Sequence, residues 1–482
     1  MNRLTRCAWT VALLASIVPH FAAAEAPAGK SAIAIGSRVE MFVDDWLIDR
    51  MSHLTLELQE PVRREIVLTT DQPWEGRASA YFTAFQDKDR IRLYYRGAIP
   101  DDSSDQQITC YAESADGVHF TRPNLGLVEF DGSTANNIIY RGVEAHNFSP
   151  FLDQNPNAPA DQRYKALGGF DGKLHAFTSA DGVRWQRLQS DPVLTRSEFD
   201  SQNVAFWDTN AGRYRCYSRG WTEPGYRGYR MIQSYTSSDF IHWDEAQPNR
   251  YRALDGTEPS PEHFYTNATL PCPGATHQLL AFPMRFVPDR TKLVDAPGTG
   301  VSDAMLLSSR DGVAWDRTFL EAWLRPGRDQ HNWTHRSNMP AWGIVQTAPG
   351  EFSMYATEHY DWPDHRLRRL TVRRHGFASV HAERKAGEFT TRPLSFEGDK
   401  LVLNYATSAA GSVQVEIQDA DGQPIANYAL ADMKPLFGDE LDAVAEWQSG
   451  SDLSPLTGET VRFRFVLSDA DLFSLRTETI AK

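Results

Sequence analysis

Five short aromatic stretches of this 482-residue chain carry polar and charged side chains where a purely structural β-strand would be apolar. Carboxylates in such stretches can transfer protons, amides and guanidinium groups can hold hydroxyl groups or anions, and aromatic rings can form pocket walls. If the fold brings the five stretches together, they form a polar pocket with aromatic walls, which suits a sugar. The stretches contain Glu75 and Arg77; His146 and Asn147; Asp200, Gln202 and Asn203; Glu262, Tyr265 and Asn267; and Asn332, Trp333 and Arg336.

Acid/base chemistry in such a pocket needs proton-transfer groups, and Asp200 and Glu358 are the best pair of carboxyl groups on sequence grounds. Asp200 lies within EFDSQNVAFWD, and Glu358 in YATEHY ends a strand at a position where other repeats carry arginine. His359 follows Glu358 and could also transfer protons, because imidazole titrates near neutral pH. The further catalytic candidates are Glu75 and, in reserve, Glu262 and Asp303.

Arginines recur at matching strand ends, as Arg96 in LYYR, Arg219 in CYSR and Arg285 in FPMR. Guanidinium groups match carboxylate, sulfate and phosphate, so these arginines and Arg336 indicate an anionic sugar such as a uronic acid or a sulfated unit. The sequence leaves open, with equal weight, that they pair with acids in a structural network. The predicted substrate-binding residues are Arg96, Asn147, Asn203, Arg219, Asn267, Arg285, Trp333 and Arg336.

A repeated hairpin identifies the elements that must position these residues. YAESADGVHF, AFTSADGVRW, SYTSSDFIHW and LLSSRDGVAW each contain Ser-x-Asp, a turn, and an aromatic residue four positions after the aspartate. A degenerate fifth copy, LTVRRHGFASV, has His375-Gly376 in place of Asp-Gly. The copies recur every 58 to 72 residues, which is typical of a repeat architecture. The recurring aromatic residue is predicted to pack between neighbouring repeats.

Each repeat reads as four β-strands. IRLYYRG, YRCYSRG, LLAFPMRF and EFSMYATEH are aromatic and β-branched stretches that precede the hairpins. Asp-Gly supplies the positive φ that tight hairpin turns require. Because strands of ~5–6 residues with short loops fit four to a repeat, the sequence predicts an all-β protein with a five-bladed β-propeller. The innermost strands of the blades would line a central funnel.

The two ends of the chain fall outside this repeat. From about Gly387, EFTTRPLSFEGDKLVLNYATS and TVRFRFVLSDADLFSLRT alternate apolar and polar residues, which predicts a C-terminal β-sandwich. The segment EMFVDDWLIDR is predicted to add a strand that closes the propeller. Arg3 and Arg6, a short apolar run and small residues up to Ala24 are typical of a signal peptide. The predicted organisation is a signal peptide at 1–24, a five-bladed β-propeller at 25–385 and a β-sandwich at 386–482, in an exported protein, periplasmic or extracellular.

Net charge, cysteine count and the absence of known motifs limit the partners and cofactors that the sequence predicts. The formal net charge of −14 argues against nucleic acid or an anionic membrane surface as the main partner. Cys110, Cys216 and Cys272 allow one disulfide at most in the exported chain, so a hydrophobic core must hold it together. No CxxC, HExxH, P-loop or Rossmann glycine pattern occurs, and no metal or organic cofactor is predicted. The oligomeric state is not indicated.

SSDFIHW resembles the S-x-D-L-x-x-W segment of the invertase and levanase group of glycoside hydrolases, and IRLYYRG resembles the YHLFYQ strand of that group. A propeller followed by a β-sandwich is similar to the architecture of the group over nearly the whole exported chain. Arabinanases, xylosidases and mannoside phosphorylases are similar in the propeller alone. The Asn-Asp-Pro acid of the group has no counterpart near Ser79-Ala80, and the second-blade acid has none near Ser149. Only Asp200 lies near a position where the resemblance implies an acid.

The resemblance implies a secreted glycoside hydrolase that cleaves a plant or algal polysaccharide with two carboxyl groups on either side of the glycosidic bond. Three alternatives remain open. A polysaccharide lyase could use His146 or His359 with Tyr265, a phosphorylase could bind phosphate through the arginines, and a non-catalytic propeller could only bind carbohydrate. The geometry of the carboxyl groups separates these classes. A pair across an open funnel favours hydrolysis, and acids all tied to arginines favour binding.

Overall fold

The computed structural model describes residues 32–98, 107–170, 172–195 and 197–479. The predicted signal peptide at 1–24 lies outside these residues. The described residues form β-strands and short 3-10 helices, without an α-helix, and none of their helices is long and apolar enough to cross a membrane. The predicted fold class, an all-β propeller with a β-sandwich, is confirmed. The 3-10 helices are Val143–His146, Ala160–Gln162, Gln330–Asn332, Leu430–Asp432 and Ser454–Leu456.

Five strands precede the first complete blade. They are Ile33–Gly36 (β1), Glu40–Met41 (β2), Ile48–Ser52 (β3), Thr55–Leu58 (β4) and Val62–Thr69 (β5). All five pair with strands from the far end of the described chain, as set out below.

Three antiparallel sheets follow in chain order, and each corresponds to one blade. The first contains Ala80–Asp87 (β6), Arg90–Gly97 (β7), Ile108–Ser114 (β8) and Ile138–Arg141 (β9). The second contains Ser149–Leu152 (β10), Tyr164–Phe170 (β11), Lys173–Ser179 (β12), Gln186–Arg187 (β13) and Leu194–Thr195 (β14). The third contains Val204–Asp208 (β15), Arg213–Glu223 (β16), Arg227–Ser237 (β17) and Gln247–Pro248 (β18).

The fourth blade is larger, because a separate three-stranded ribbon is inserted into it. Its strands are Arg250–Ala253 (β19), His263–Phe264 (β20), Leu270–Cys272 (β21), Ala275–Ala281 (β22), Met284–Val287 (β23), Val301–Ala304 (β24), Leu307–Ser309 (β25) and Ala314–Arg317 (β26). The ribbon consists of β20, β23 and β24, and the remaining strands form the blade in the order β21-β22-β25-β26-β19.

The fifth blade combines both ends of the propeller. Val345–Ala348 (β27), Glu351–Glu358 (β28) and Arg366–Arg373 (β29) are joined by β5, which pairs antiparallel with β29. Thr83 in the first blade also bridges to Trp342, just before β27. Within the described residues, five sheets of four or five strands lie outside the sandwich sheet and the three-stranded ribbon.

The last strands form the sandwich together with the N-terminal ones. They are Ala378–Ala382 (β30), Gly387–Thr391 (β31), Leu394–Phe396 (β32), Lys400–Asp419 (β33), Asp439–Val444 (β34) and Val461–Glu478 (β35). β1 pairs with β32, β2 with β35, β3 with β31 and β4 with β30. EMFVDDWLIDR was predicted to close the propeller, but its strands belong to the sandwich, and β5 closes the ring instead. Strands within residues 33–58 thus pair with strands near or beyond the predicted boundary between 25–385 and 386–482, and the domain boundaries themselves stay a prediction.

The repeated Ser-x-Asp segment folds as the same turn in four blades. The serine Oγ accepts a backbone N–H three residues on, at 2.9 Å in every copy, and the aspartate Oδ1 accepts the N–H two residues on. The residue directly after the aspartate has φ between 69° and 82°, a left-handed conformation that favours glycine. Glycine occupies this position in three copies and Phe240 in the remaining one.

These turns also join neighbouring blades. Tyr94 donates its hydroxyl to the carbonyl of Gly182 in the next blade, and Tyr217 does the same to Gly312. Tyr355 of the fifth blade donates to Gly117 of the first and so bridges the closing contact of the ring. The repeated aromatic residues Phe120, Trp185 and Trp315 pack edge-on against these same tyrosines, as the sequence predicted.

Candidate functional site

The candidate site is a group of side chains that we call the arginine cluster. They lie just before or within the inner strands, or on the strands paired with them, at one end of the funnel. Its members are Tyr81, Arg96, His146, Asp200, Arg219, Arg230, Tyr265, Arg336 and Tyr360. Cation–π, ring and ion-pair contacts link them in an unbroken series from the first blade to the fifth.

A histidine–carboxylate pair lies at the centre of the cluster. His146 Nε2 is 3.0 Å from Asp200 Oδ1, and Arg219 donates to Asp200 Oδ2 at 3.2 Å. Burial opposes ionisation of Asp200, but the hydrogen bond with His146 and the charge of Arg219 outweigh it and hold its pKa below the ordinary value. The Asp200 side chain remains 37% exposed. It is therefore an ionised carboxylate that solvent or a ligand can reach.

Tyr265 gathers three of the arginines around its ring. The guanidinium carbons of Arg219, Arg230 and Arg336 lie 5.1, 5.1 and 5.2 Å from the ring centre. Such cation–π contacts hold the cations close together despite their mutual repulsion. Burial and the charges of Arg219 and Arg336 lower the pKa of Arg230, although the neighbouring Tyr265 opposes this. Positive charge is therefore crowded at this point of the funnel.

Three of the four arginines have no carboxylate partner among the described residues. Arg96 donates to the Ala78 carbonyl and lies over Tyr81 at 4.9 Å. Arg230 contacts His263 and the rings around it, and Arg336 donates to the Tyr360 hydroxyl at 3.1 Å. Only Arg219 is neutralised, by Asp200. The cluster thus has an excess of positive charge within a protein whose net charge is negative.

Several residues of this end of the funnel have left-handed backbone conformations. Tyr81 has φ 56°, Arg336 has φ 58°, and Phe199, immediately before Asp200, has φ 42°. Each costs free energy for a residue with a side chain, and such strain is concentrated at functional sites. Tyr81 and Arg336 are themselves members of the cluster, and Phe199 directly precedes a third member, Asp200.

Burial also keeps the Tyr81 phenol protonated. It raises the pKa of Tyr81, with a further contribution from Tyr265, so Tyr81 is neutral and can donate a hydrogen bond at neutral pH. The centre of its ring lies 6.0 Å from the centre of the His146 ring. The His146 ring also packs against Phe170, with ring centres 4.7 Å apart. A protonated phenol therefore adjoins the histidine–carboxylate pair.

Glu358, the predicted partner of Asp200, lies in a different environment. It is 2% exposed, and its carboxylate accepts from Arg63, Arg366 and Arg368 at 3.3, 3.0 and 2.9 Å. Burial opposes its ionisation, but the hydrogen bonds and charges of Arg368 and Arg366 outweigh it and lower the pKa of Glu358. No contact joins Glu358 to Asp200 or to His146 among the described residues. The structure does not bring the predicted acid pair together.

The other acidic candidates are also held in ion pairs. Glu75 is fully buried and accepts from Arg122 at 2.7 and 2.9 Å and from the Tyr95 hydroxyl. Arg285 makes a two-pronged contact with Asp303 and a third with Glu262. For Glu75, Arg285 and Glu358 the structure thus favours the structural network that the sequence left open.

The three predicted substrate-binding asparagines are buried and bond to the backbone. Asn147 donates to the Phe199 carbonyl and accepts from the Gly169 N–H. Asn203 donates to the Phe199 and Ser201 carbonyls, and Asn267 donates to the Gln202 and Tyr217 carbonyls. Asn147 and Asn267 thus connect neighbouring blades, and Asn203 fixes the loop that carries Asp200.

His359 lies outside the arginine cluster and is nearly buried. Its two ring nitrogens are 2.8 Å from Asp364 and 2.8 Å from Asp329. His331, His359 and Asp364 present atoms close enough to hold a metal ion, as do Glu57, His381 and Asp471 on the sandwich. Arg366 lies 3.1 Å from His359 Nε2, and its positive charge opposes a cation at the first of these groups.

Sequence reasoning missed Arg230, Tyr81 and Tyr360. Arg230 lies on β17, the strand after the one whose end was aligned between repeats, so that alignment could not include it. Tyr81 lies on β6 and Tyr360 ends the stretch YATEHY, and in the sequence both resemble ordinary aromatic residues of a strand. The signal that could have found these three residues is the frequency with which aromatic residues and arginines occur together near the ends of the inner strands.

Comparison with known proteins gives structural likeness only. No family model matches the chain, and no curated protein matches its sequence. An N-acetylgalactosamine deacetylase from F. plautii has a TM-score of 0.44 and 13% identity, over 66% of this chain and 95% of that one. A β-1,2-mannobiose phosphorylase from Listeria innocua has a TM-score of 0.41 and 13% identity, over 65% and 97%.

A β-xylosidase gives a TM-score of 0.43 and 9% identity, over 67% of this chain and 98% of that one. All three values of the TM-score are below 0.5. The fold and the candidate site therefore rest on the strand pairing and the side-chain contacts given above.

Proposed function

We propose that this protein is a carbohydrate-active enzyme that cleaves a glycosidic bond next to an anionic sugar unit bound in the arginine cluster. One observation carries the proposal. Arg96, Arg230 and Arg336 have no carboxylate partner among the described residues, and they surround the one partly exposed carboxylate–histidine pair of the cluster. Aromatic rings supply the apolar walls that a sugar ring requires.

The anionic group of the sugar would bind to the arginines. A carboxylate or sulfate accepts charge-assisted hydrogen bonds from guanidinium groups and gains most where water is excluded. Arg230 and Arg336 are the best candidates, since both are partly buried and both are fixed on the Tyr265 ring. Binding there would place the rest of the sugar over His146 and Asp200.

Every candidate carboxylate is paired with an arginine, which by the criterion given above favours binding alone. Asp200, however, is also paired with a histidine and stays accessible, and this supports hydrolysis as the leading chemistry. His146 would take a proton from the attacking water, and ionised Asp200 would orient its ring and stabilise the imidazolium form. The water oxygen would then bond to the anomeric carbon as the glycosidic oxygen departs. Tyr81, kept protonated by burial, would transfer its proton to that oxygen, and the proton held by His146 would return to Tyr81 through solvent before the next turnover. This differs from the predicted two-carboxylate mechanism, because Glu358 and Glu75 are held in buried ion pairs.

Elimination is the second candidate, and the same observation favours it. A uronic acid held by arginines loses its C5 proton more readily, because the guanidinium charges stabilise the negative charge that develops on the carboxylate. His146 would take that proton, the glycosidic oxygen would leave C4 with the electrons of the broken C–O bond as the C4–C5 double bond forms, and Tyr81 would give this oxygen its proton. No second carboxylate is needed for this reaction.

A substrate screen of residues 25–482 tests the proposal. Neutral, uronic and sulfated polysaccharides would be assayed for new reducing ends and for the ultraviolet absorbance of unsaturated uronates. Reducing ends without absorbance would establish hydrolysis, and both signals together would establish elimination. Binding of acidic glycans without either signal would move the protein to the non-catalytic class.

The arginines are tested by charge removal. Arg230→Gln and Arg336→Gln should each weaken binding of acidic glycans by about tenfold, as expected for ~1.4 kcal/mol, and leave any neutral glycan unaffected. Arg184→Gln is the matched control, because this exposed arginine lies on an outer hairpin turn. Equal loss on acidic and neutral glycans would contradict the assignment of an anion site.

A further inference from the structure

A cavity lies on the fourth and fifth blades beside the arginine cluster. Its volume is about 430 Å³, and its wall includes Arg285, Arg290, Ser302, Asp303, Arg325 and Trp333. We call it the Trp333 pocket. Trp333 was predicted to bind substrate, and the structure places it here rather than in the arginine cluster.

The ribbon strands β23 and β24 form the wall between the two sites. Phe286 contacts Arg230 on the cluster side at 5.4 Å, whereas its neighbour Arg285 lines the pocket, as expected because side chains alternate along a strand. Ser302 belongs to both sites, since it lines the pocket and its Oγ accepts the backbone N–H of Arg336 at 2.9 Å. A chain of sugars could therefore extend from one site into the other.

The pocket has a fixed aromatic surface. The indole N–H of Trp333 donates to the Gly327 carbonyl at 2.8 Å, and Gly327 is itself part of the wall. This bond sets the orientation of the ring while the ring stays partly exposed. A flat apolar face of fixed orientation is suited to the apolar face of a pyranose ring.

The pocket also has its own charge pattern. Arg285 and Asp303 are paired along the wall at 2.6 and 2.9 Å, so neither offers a free charge. Arg325 is at the edge and pairs with exposed Glu60. Arg290 is exposed and has no hydrogen-bond or ion-pair partner among the described residues, so it is the cation best able to accept an anionic ligand.

We propose that the Trp333 pocket is a second sugar subsite, which binds the neighbouring unit of the same acidic glycan. The ring of that unit stacks on Trp333, and its anionic group contacts Arg290. This rests on the proposed function of the arginine cluster. It makes the substrate an oligosaccharide or polysaccharide that extends over both sites, not a single sugar.

Binding measurements with chain length as the variable test this subsite. For each uronic and sulfated glycan of the screen, the monosaccharide, the disaccharide and a longer oligosaccharide would be titrated calorimetrically into residues 25–482. Wild-type affinity should rise by about tenfold or more from one unit to two, which corresponds to ~1.4 kcal/mol. Trp333→Ala should remove that increase and leave monosaccharide binding unchanged.

Two further variants separate the ring from general destabilisation. Trp333→Phe keeps an aromatic face and should retain most of the increase, whereas Arg290→Gln should reduce it only for glycans that are charged on the second unit. Phe437→Ala is the control, because this exposed aromatic residue lies far along the chain in the sandwich part. It should change none of the affinities.

The failures are distinguishable. If wild-type protein binds one unit and longer chains equally well, the subsite is overturned while the proposed function stands. If Trp333→Ala weakens monosaccharide and oligosaccharide binding equally, Trp333 supports the arginine cluster and the subsite is again overturned. If wild-type protein binds no acidic sugar of any length, both the subsite and the proposed function are overturned.

Discussion

Asp200 and Glu358 are two carboxylates whose pKa values are both lowered, but their surroundings differ. Asp200 keeps one third of its side chain exposed and shares its charge with a histidine and one arginine. Glu358 is buried under three arginines. A buried carboxylate that is fully paired supports the fold, and only an accessible one can meet a substrate.

Neutral substitutions should therefore separate the two residues. Asp200→Asn should lower turnover by about a hundredfold or more and leave the unfolding midpoint nearly unchanged, since it removes proton-transfer support at an exposed position. Glu358→Gln should instead cost about 3–5 kcal/mol of unfolding free energy, because three arginines lose a buried partner. Turnover and denaturant unfolding of both variants are the measurements. A stable Glu358→Gln protein with lost turnover would return Glu358 to the catalytic set.

Sequence reasoning identified the positions of the site better than the roles of its residues. Asp200, Arg96, Arg219 and Arg336 were named from their places in the repeats, and all lie in the cluster. Arg285 and the three asparagines were named by the same rule, but their side chains bond to other groups of the protein. Which polar groups of a repeat are paired internally depends on contacts between blades, and these are not local in sequence.

At the scale of the element, three of the four hairpin turns also accept a hydrogen bond from a neighbouring blade. In these turns a tyrosine hydroxyl of another blade donates to the carbonyl of the glycine that follows the aspartate. Ser-x-Asp-Gly could be recognised in the sequence because every atom that shapes the turn is within a few residues. The acceptor role of that turn could not, since its tyrosine is supplied by a distant strand.

The three tyrosine bonds are open to a direct test. Tyr94→Phe, Tyr217→Phe and Tyr355→Phe should each lower the free energy of unfolding by about 1–3 kcal/mol, because a buried carbonyl loses its donor. Tyr229→Phe is the control, since this exposed tyrosine stacks on His263 through its ring. Denaturant unfolding measures all four. Unchanged stability of Tyr355→Phe would show that the closing contact does not depend on this bond.

At the scale of the whole molecule, the propeller interrupts the sandwich. Strands β1–β4 precede it and pair with strands that follow it, and charged contacts lie between the two parts. The alternating pattern of each strand could be found from sequence. The pairing could not, because strands of one sheet were separated by the whole propeller, and proximity along the chain suggested the wrong partner for EMFVDDWLIDR.

Glu40 makes this arrangement sensitive to acid. It is 1% exposed on β2 and contacts Arg38, Arg310 and His277. Burial opposes its ionisation, but the contacts with His277 and Arg310 outweigh it and lower the pKa of Glu40 to about 2. Because the folded-state pKa is below the ordinary 4.5, this contribution to stability is present above pH 4.5 and is lost as pH falls towards 2.

Glu40→Gln should accordingly lower the unfolding free energy at neutral pH by about 3 kcal/mol. It should also remove part of the loss that wild-type protein shows between pH 4.5 and 2. Unfolding curves of both proteins across that range are the measurement. Parallel acid profiles for variant and wild type would assign the acid sensitivity to other groups.

Closure of the ring by β5 has a consequence for how the chain is made. β5 and β29 exchange contacts between residues 304 positions apart, such as Arg64 and Arg368. At about 5–20 residues per second, the ribosome delivers the second partner roughly 15–60 seconds after the first. The native partners of the first five strands are therefore synthesised only after all the other blades have been made. The propeller ring and the sandwich can thus close only late in synthesis, once β29 and the strands after it have emerged from the ribosome.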